Sequence, residues 1–550
     1  MTLVTPPGQV ELPEPAELTG LAELTEPQEL TELAEPAGIA EPAALPPEEP
    51  ALSKTAYGRA TAPVSSQLHM TVAIARRDVR PPVRQRQVIA PASVNPPPVR
   101  TSELQAWPLL GLLLLYPVWW AFGLGVIIFP LLAVPMAYML LRRRLVTKTA
   151  IKLPPGFFLW ALFLVVVVIS MGMLGVNPPG TVTASASSRL LAVMFRLVEY
   201  TALTILMVFA GNLGEHQLSR RRLTGLMSWL FGVTVAGGLL GMVAGSFAFD
   251  SPIELMLPDD WRSNTFVQSL VHPAAAQLMD VLGHPSPRPA APWGYTNTWG
   301  NNFCLLVVWF LVAAFATRET SRRSRIVATS LLVISIAPVI YSLNRGLWIG
   351  LGIGLGYVVL RLVAHGRLWI IGALSALVVV LGIVIMVTPL GNVVSERLDN
   401  GKSNGVRLYL TDQAVDGIQQ SPVIGFGSTR NTEGGRKSIT VGSSDDCPHC
   451  GNFTIGGNGQ LWQVLYAHGL VGTIAYFGFF AFGLWRFRRD RTPTGLAGSA
   501  ALIMSLVAAL WYNSLVTPLA FTLLAYALLW RNEIDGGARH SAPAPMAVSR

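Results

Sequence analysis

Residues 190–247 read LLAVMFRLVEYTALTILMVFAGNLGEHQLSRRRLTGLMSWLFGVTVAGGLLGMVAGSF. Two apolar runs, 190–212 and 223–247, flank a basic link that carries Arg220, Arg221 and Arg222. Each run has the ~20 residues that carry a helix, at ~1.5 Å rise per residue, across a ~30 Å hydrocarbon core. Lipid offers a bare peptide group no hydrogen-bond partner, so runs of this kind must close their bonds internally as helices. The arginines between them mark a cytoplasmic turn.

The pattern extends in both directions. Apolar runs occupy 107–122, 124–141, 156–175, 298–317, 325–342, 346–363, 368–389, 459–485, 496–513 and 516–530. A single helix over the first two would reach ~51 Å, beyond the hydrocarbon core, so the sequence predicts a hairpin near Pro117–Gly125 instead. Arg142–Arg144, Arg220–Arg222, Arg318 with Arg322 and Arg323, Arg367, and Arg486 with Arg488 and Arg489 fall in alternate connections. A path of about twelve transmembrane helices puts every cluster, and both termini, on the cytoplasmic side. The expected fold is therefore all-α: a polytopic helix bundle in the inner (cytoplasmic) membrane.

Composition agrees. The chain is 51% hydrophobic and 13% charged over 550 residues, a balance that leaves a soluble surface uncovered. The net charge of +9 sits in short clusters between apolar runs and gives no reason to expect nucleic acid. Residues 1–100 repeat acidic phrases such as Glu23-Leu24-Thr25-Glu26-Pro27, then turn basic and end in Pro96-Pro97-Pro98. Such a stretch cannot offset its ordering entropy and reads as a disordered cytoplasmic arm without a signal-peptide core. A docking role for a cytoplasmic partner is the alternative to a plain solvated tail. The expected divisions are the arm (1–100), helices one to nine (101–388), a large extracytoplasmic loop (389–458), helices ten to twelve (459–530) and a cytoplasmic tail (531–550). A second external stretch covers about 249–297.

Charges at membrane depth need a reason. Arg196 and Glu199, three residues apart, share a helix face. They form either an internal ion pair or the anion-binding part of an outward cavity, which Arg189 could join. Asn344-Arg345-Gly346 opens a span at the outer edge, where a guanidinium can grip phosphate oxygens in a bidentate manner. The following glycines to Gly356 precede no nucleotide-loop architecture and suit close helix packing. In the large loop, Val406–Ile418 has helical apolar spacing, Pro422 ends it, and Gly425-Phe426-Gly427 turns the chain. Cys447-Pro448-His449-Cys450 suggests a local disulfide between Cys447 and Cys450 rather than a zinc site, which lacks enough ligands. Cys304 reads as packed, His468 as a helix contact, and His272 and His284 show no partner in sequence.

In order, the motifs Arg345-Gly346-Leu347-Trp348, Arg407-Leu408-Tyr409-Leu410, Ser421-Pro422-Val423-Ile424-Gly425-Phe426-Gly427, Asn458-Gly459-Gln460-Leu461-Trp462-Gln463 and Ala467-His468-Gly469-Leu470-Val471-Gly472 resemble the bacterial O-antigen ligase and polymerase superfamily. The resemblance covers roughly 299–476. It implies a fold similar to membrane glycosyltransferases that use polyprenyl-linked donors. It also implies metal-independent transfer, without a cofactor, of glycan from a polyprenyl-diphosphate-linked donor to a glycan or glycolipid acceptor at the outer face. A diphosphate leaving group calls for fixed positive charge, for which Arg345, Arg407 and Arg196 are the candidates. Many members carry a histidine before the asparagine at position 458; here Gly457 stands there. The base that the acceptor hydroxyl needs would then come from His449, Glu433 or Asp446. A carrier or a non-catalytic scaffold for a glycan synthase are the competing functions; a carrier should show two related halves, and none is evident.

Overall fold

The structure, a computed structural model, describes residues 104–280, 285–316, 321–364, 366–387, 402–432 and 454–541, with 391 and 395. The N-terminal arm lies outside these residues. The described chain is mostly helical. The first half runs α1 (Trp107–Leu114), α2 (Tyr116–Ala121), α3 (Ile128–Thr147), α4 (Phe157–Ser170), α5 (Ala186–Asn212) and α6 (Arg220–Val243). Then come short α7 (Pro252–Met256), α8 (Asp259–Arg262) and α9 (Thr265–Val271), a hairpin of β1 (Ala276–Asp280) and β2 (Pro285–Pro289), and α10 (Thr296–Leu311). The rest is α11 (Arg322–Tyr341), α12 (Arg345–Val363), α13 (Trp369–Val387), α14 (Lys402–Gln420), α15 (Gln460–Phe487), α16 (Pro493–Ala508) and α17 (Thr517–Ser541).

Among the described residues, six helices are long and apolar enough to cross a membrane: α5, α6, α10 with its extension to Ala316, α11, α12 and α15. Helix α4, with the turn after it, and α16 are apolar but shorter. The stretch 107–122 departs from expectation. It is two pieces of 8 and 6 residues, because Pro117 in the first turn of α2 has no N–H to continue the ladder of α1. The turn back is nonetheless closed: Tyr116 Oη donates to Gly125 O at 3.0 Å and Trp119 Nε1 to Gly111 O at 2.9 Å. The second predicted span starts later and runs past Arg142–Arg144 to Thr147.

The expectation of an all-α chain also needs correcting. Strands β1 and β2 pair antiparallel, with Ala276 opposite Pro289 and Asp280 opposite Pro285. Prolines at 285, 287 and 289 read as strand breakers, but a two-stranded ribbon has open edges, where a missing N–H costs nothing. The amphipathic segment of the large loop does fold as a helix, α14, which extends beyond Val406–Ile418 at both ends.

Side-chain contacts sort the helix ends into two sets. Arg143 Nη1 reaches Asn212 O, Arg220 Nε pairs with Glu215 at 2.6 Å, and Arg531 reaches the same carboxylate. Arg361 donates to Arg488 O and Asp490 O, and Asn532 donates to Thr492 Oγ1. The clusters at 142–144, 220–222 and 486–489 thus gather at one end of the bundle. At the other end, the starts of α10, α12, α15 and α17 meet the ends of α11 and α16.

Residues Leu519 to Trp530 of α17 are buried all round, as befits a helix at the centre of a bundle. Large apolar side chains such as Ile349, Ile353 and Leu360 of α12 stay exposed, which suits a lipid-facing surface. Between helices in lipid, close packing replaces water exclusion as the cohesive force. Helix α12 shows how. A Cβ on Gly346, Gly350 or Gly354 would meet Trp511, Cys304 or Met504, whereas Gly352 and Gly356 face open space.

Candidate functional site

Arg345 is the first residue of α12, whose start is capped by Asn344 accepting from Leu347 N at 3.3 Å. Next to it, Gly346 allows an approach no other residue could: its Cβ would fall 2.1 Å from Trp511 Nε1 and 2.3 Å from Tyr512 Oη. The contact draws the start of α12 onto the connection between α16 and α17. Arg407 of α14 grips the same connection, donating from Nη1 to Trp511 O at 2.7 Å and to Asn458 O at 3.0 Å. Asn458 answers by donating from Nδ2 to Thr411 Oγ1 at 2.8 Å. Burial, with a smaller push from the neighbouring Arg345 charge, lowers the Arg407 pKa from the ordinary arginine value; a guanidinium still keeps its proton there. The Nε and Nη2 of Arg407 make no hydrogen bond with the described residues.

A third arginine, not expected from sequence, joins this corner. Arg288 of β2 is 3% exposed and donates from Nε to Ser342 O at 2.5 Å, two residues before the Asn344 cap. The charges of Arg407 and Arg288 both act on the buried Tyr512 hydroxyl. Arg407 and Arg288 therefore flank one buried phenol, with Arg345 beside Arg407. Its sequence setting, Pro285-Ser286-Pro287-Arg288-Pro289, gave no sign that Arg288 is buried.

On the far side of the same connection lies a cavity of about 180 Å³, closed by Leu515–Thr517 and walled by Arg196, Tyr116, Trp120, Trp293 and His272. Arg196 does not pair with Glu199 in the described structure. With the Gln463 amide oxygen turned toward it, Arg196 donates from both terminal nitrogens at 3.1 and 3.3 Å. Both Glu199 oxygens are buried without a hydrogen-bond partner among the described residues. The expected ion pair is thus not formed, and Arg196 lines the cavity.

Other polar groups, Arg189 and His468 among those singled out in the sequence and Arg430 beside them, serve packing. Arg189 donates to Leu174 O at 2.7 Å and stays with the link after α4, away from the Arg196 cavity. Arg430 donates to the carbonyls of Met173, Leu174, Val176 and Phe426. Burial, then the Arg189 charge, pull its pKa down to about 10. His468 Nδ1 lies 2.9 Å from Ser170 Oγ and joins α15 to the end of α4, as a helix contact should. Cys304 is buried and free.

The loop candidates His449, Glu433 and Asp446, and the Cys447–Cys450 pair, lie outside the described residues, as does His284. The remaining histidine of the external stretches, His272, does have a partner. Its Nδ1 lies 2.9 and 3.1 Å from the Glu254 oxygens and 3.8 Å from Asp250 Oδ1. Asp250, Glu254 and His272 bring their polar atoms within 4.8 Å of one another. Both carboxylates are already engaged, Asp250 with Arg262 at 2.8 Å and Glu254 with Ser251 N at 3.3 Å. The group is thus a hydrogen-bonded network. The capping box of Ser251 and Glu254 was readable from their spacing; the pairing of Glu254 with a histidine 18 residues away was not.

Against this geometry, the family model described as O-antigen ligase matches residues 330–445, from within α11 through α14 and beyond. The matched segment holds both Arg345 and Arg407. A search of curated proteins finds no match. Among the described residues six helices are long and apolar enough to cross a membrane, and over 330–445 the chain is similar to the O-antigen ligase family, which together support a membrane protein of the glycan-transferring kind.

Proposed function

We propose that the chain transfers or polymerises glycan from a polyprenyl-diphosphate-linked donor onto a glycan or glycolipid acceptor at the outer face of the inner membrane. The observation that carries this reading is the meeting of Arg345 and Arg407 on either side of Gly346 and Trp511, inside the segment matched by the ligase family. Two guanidiniums at the end of a bundle suit a lipid diphosphate, whose headgroup arrives at that depth and whose charge grows as the glycosidic bond breaks. Arg407 keeps Nε and Nη2 for such a ligand while Nη1 holds its own backbone contacts. Arginines supply here the positive charge that a divalent cation provides in other phosphate chemistry, so the reaction proceeds without a metal. Arg196, across the 511–517 connection, extends the positive surface toward the reacting sugar.

The chain crosses the membrane twelve times in this reading, with both termini and all basic clusters in the cytoplasm. The 389–458 loop lies outside and presents the acceptor, with His449, Glu433 and Asp446 as its sequence-derived candidates for the base. The 1–100 arm and the 531–550 tail are cytoplasmic, and the arm is free to recruit a partner.

The test is glycan transfer by the full chain reconstituted with lipid-linked donor from the host's membranes. Arg345→Ala and Arg407→Ala should each lower the rate by ~10²–10³-fold, the scale of removing one preorganised transition-state contact. Wild-type rates in both variants refute the clamp.

A further inference from the structure

We propose that His272 is the general base of the transfer, aimed by Glu254 into the cavity it shares with Arg196; this rests on the glycan-transfer reading above. Three features of the structure converge on it. First, the ring is fixed. Nδ1 faces both oxygens of Glu254 at 2.9 and 3.1 Å, and the Glu254 side chain is 3% exposed. That carboxylate cannot swing away, because it also accepts from Ser251 N while Ser251 Oγ accepts from Glu254 N at 3.1 Å. A carboxylate on Nδ1 assigns the proton to that nitrogen and leaves the lone pair on Nε2, the arrangement a histidine base requires. Second, Nε2 makes no hydrogen bond with the described residues, and His272 is one of the residues that line the cavity with Arg196.

Third, the backbone beneath is built to hold the dyad. Gly123, between α2 and α3, has φ +79°, and a Cβ there would lie 2.2 Å from Ser251 Oγ and 2.6 Å from Val271 O. The glycine lets the turn press directly on the residue that caps Glu254 and on the neighbour of His272. Asp250, held by Arg262, brings its Oδ1 to 3.8 Å from Nδ1.

In the step, the acceptor hydroxyl gives its proton to His272 Nε2 as its oxygen bonds to the anomeric carbon. The bond from that carbon to the diphosphate oxygen breaks, and the electron pair leaves on the diphosphate, facing the arginines. The proton later passes from Nε2 to water. The base thus comes from the shorter external stretch, 250–272, and the chain needs none at Gly457.

The alternative is that the Glu254 bond only fastens α7–α9. His272→Asn separates the two roles, because asparagine keeps an N–H near the Nδ1 position for Glu254 and has nothing in place of Nε2. The full chain is assayed in membrane vesicles with endogenous lipid-linked donor, and the purified protein is tested for binding of polyprenyl diphosphate. His272→Asn should lose ~10²–10⁴-fold in kcat, the range for a missing general base, with wild-type thermal stability and polyprenyl diphosphate binding. Glu254 is a positioning residue, so Glu254→Gln should lower kcat by ~10–100-fold and leave donor KM unchanged. A His272→Asn rate within about threefold of wild type, far short of base loss, overturns the proposal. If Arg345→Ala and Arg407→Ala abolish transfer at the same time, the transferase reading stands without it. A wild-type chain that neither binds polyprenyl diphosphate nor transfers glycan overturns both.

Discussion

Arg430 should behave as a structural arginine, and Arg430→Met measures by how much. The side chain is 2% exposed and donates to six backbone carbonyls at 3.0 to 3.4 Å: Met173, Leu174, Val176, Phe426, Ser428 and Thr429. It therefore pins the turn after α14 to the end of α4. Methionine keeps the volume and removes every donor. Three of the acceptors, Leu174 O, Phe426 O and Ser428 O, are buried at these contacts. At ~1–3 kcal/mol for each buried acceptor left bare, the sum runs from ~3 to ~9 kcal/mol. The bonds are long and shared, and water can reach the half-buried acceptors, so the low end governs at ~3–5 kcal/mol. For a chain of this size that is a fall in Tm on the order of 5 °C, read by thermal unfolding of the detergent-purified protein. Limited proteolysis should cut near 423–432 faster, since the loss is local. Arg430→Lys should recover only part, because one ammonium cannot span carbonyls from two segments. Unchanged Tm and unchanged proteolysis in Arg430→Met would show that these contacts do not hold the turn.

Two further outcomes follow from packing and path. Gly346→Ala should cost ~1–3 kcal/mol or prevent assembly, since its Cβ would lie 2.1 Å from Trp511 Nε1, the scale of overpacking. Gly352→Ala, with nothing within 4 Å, should be neutral or stabilise by ~0.5–1 kcal/mol through helix propensity; thermal unfolding compares the two. For the path, Cys447 and Cys450 are first changed to serine. A cysteine at Val423, which is 58% exposed, should then react with an impermeant maleimide on intact cells, and one at Arg489 only after permeabilisation. Labelling of position 423 from the cytoplasmic side alone would invert the topology and remove the outer-face chemistry with it.

Much of the fold was legible because the membrane permits few solutions. An apolar run of bilayer length has one way to satisfy its peptide groups, so helices lie where hydropathy placed them. The places where sequence reasoning slipped share a cause. Pro117 splits the first run, and a proline-bearing strand pairs in a stretch for which no strand was expected; both are local backbone facts that hydropathy averages away. The glycine run of α12 was read as close packing, yet only the structure separates Gly346, Gly350 and Gly354, which touch neighbours, from Gly352 and Gly356, which do not.

The site divides along the same line. Arg345 and Arg407 could be nominated from sequence because a cation beside a membrane span is costly and so carries information by itself. Arg196 could be nominated but not assigned, since an arginine and a glutamate three residues apart fit an ion pair as well as a cavity; its bonds to Gln463, on another helix, and the unpartnered Glu199 oxygens show only that the ion pair does not form. His272 could not be found at all. An exposed histidine in an external stretch is unremarkable alone, and its meaning comes from a carboxylate 18 positions earlier, a glycine in a different hairpin and an arginine on α5. Charge at depth is a one-residue signal, whereas a base is a relation among residues that only folding brings together. That asymmetry explains why Arg345 and Arg407 could be proposed from sequence, while the search for a base stopped at Gly457 and the loop residues His449, Glu433 and Asp446.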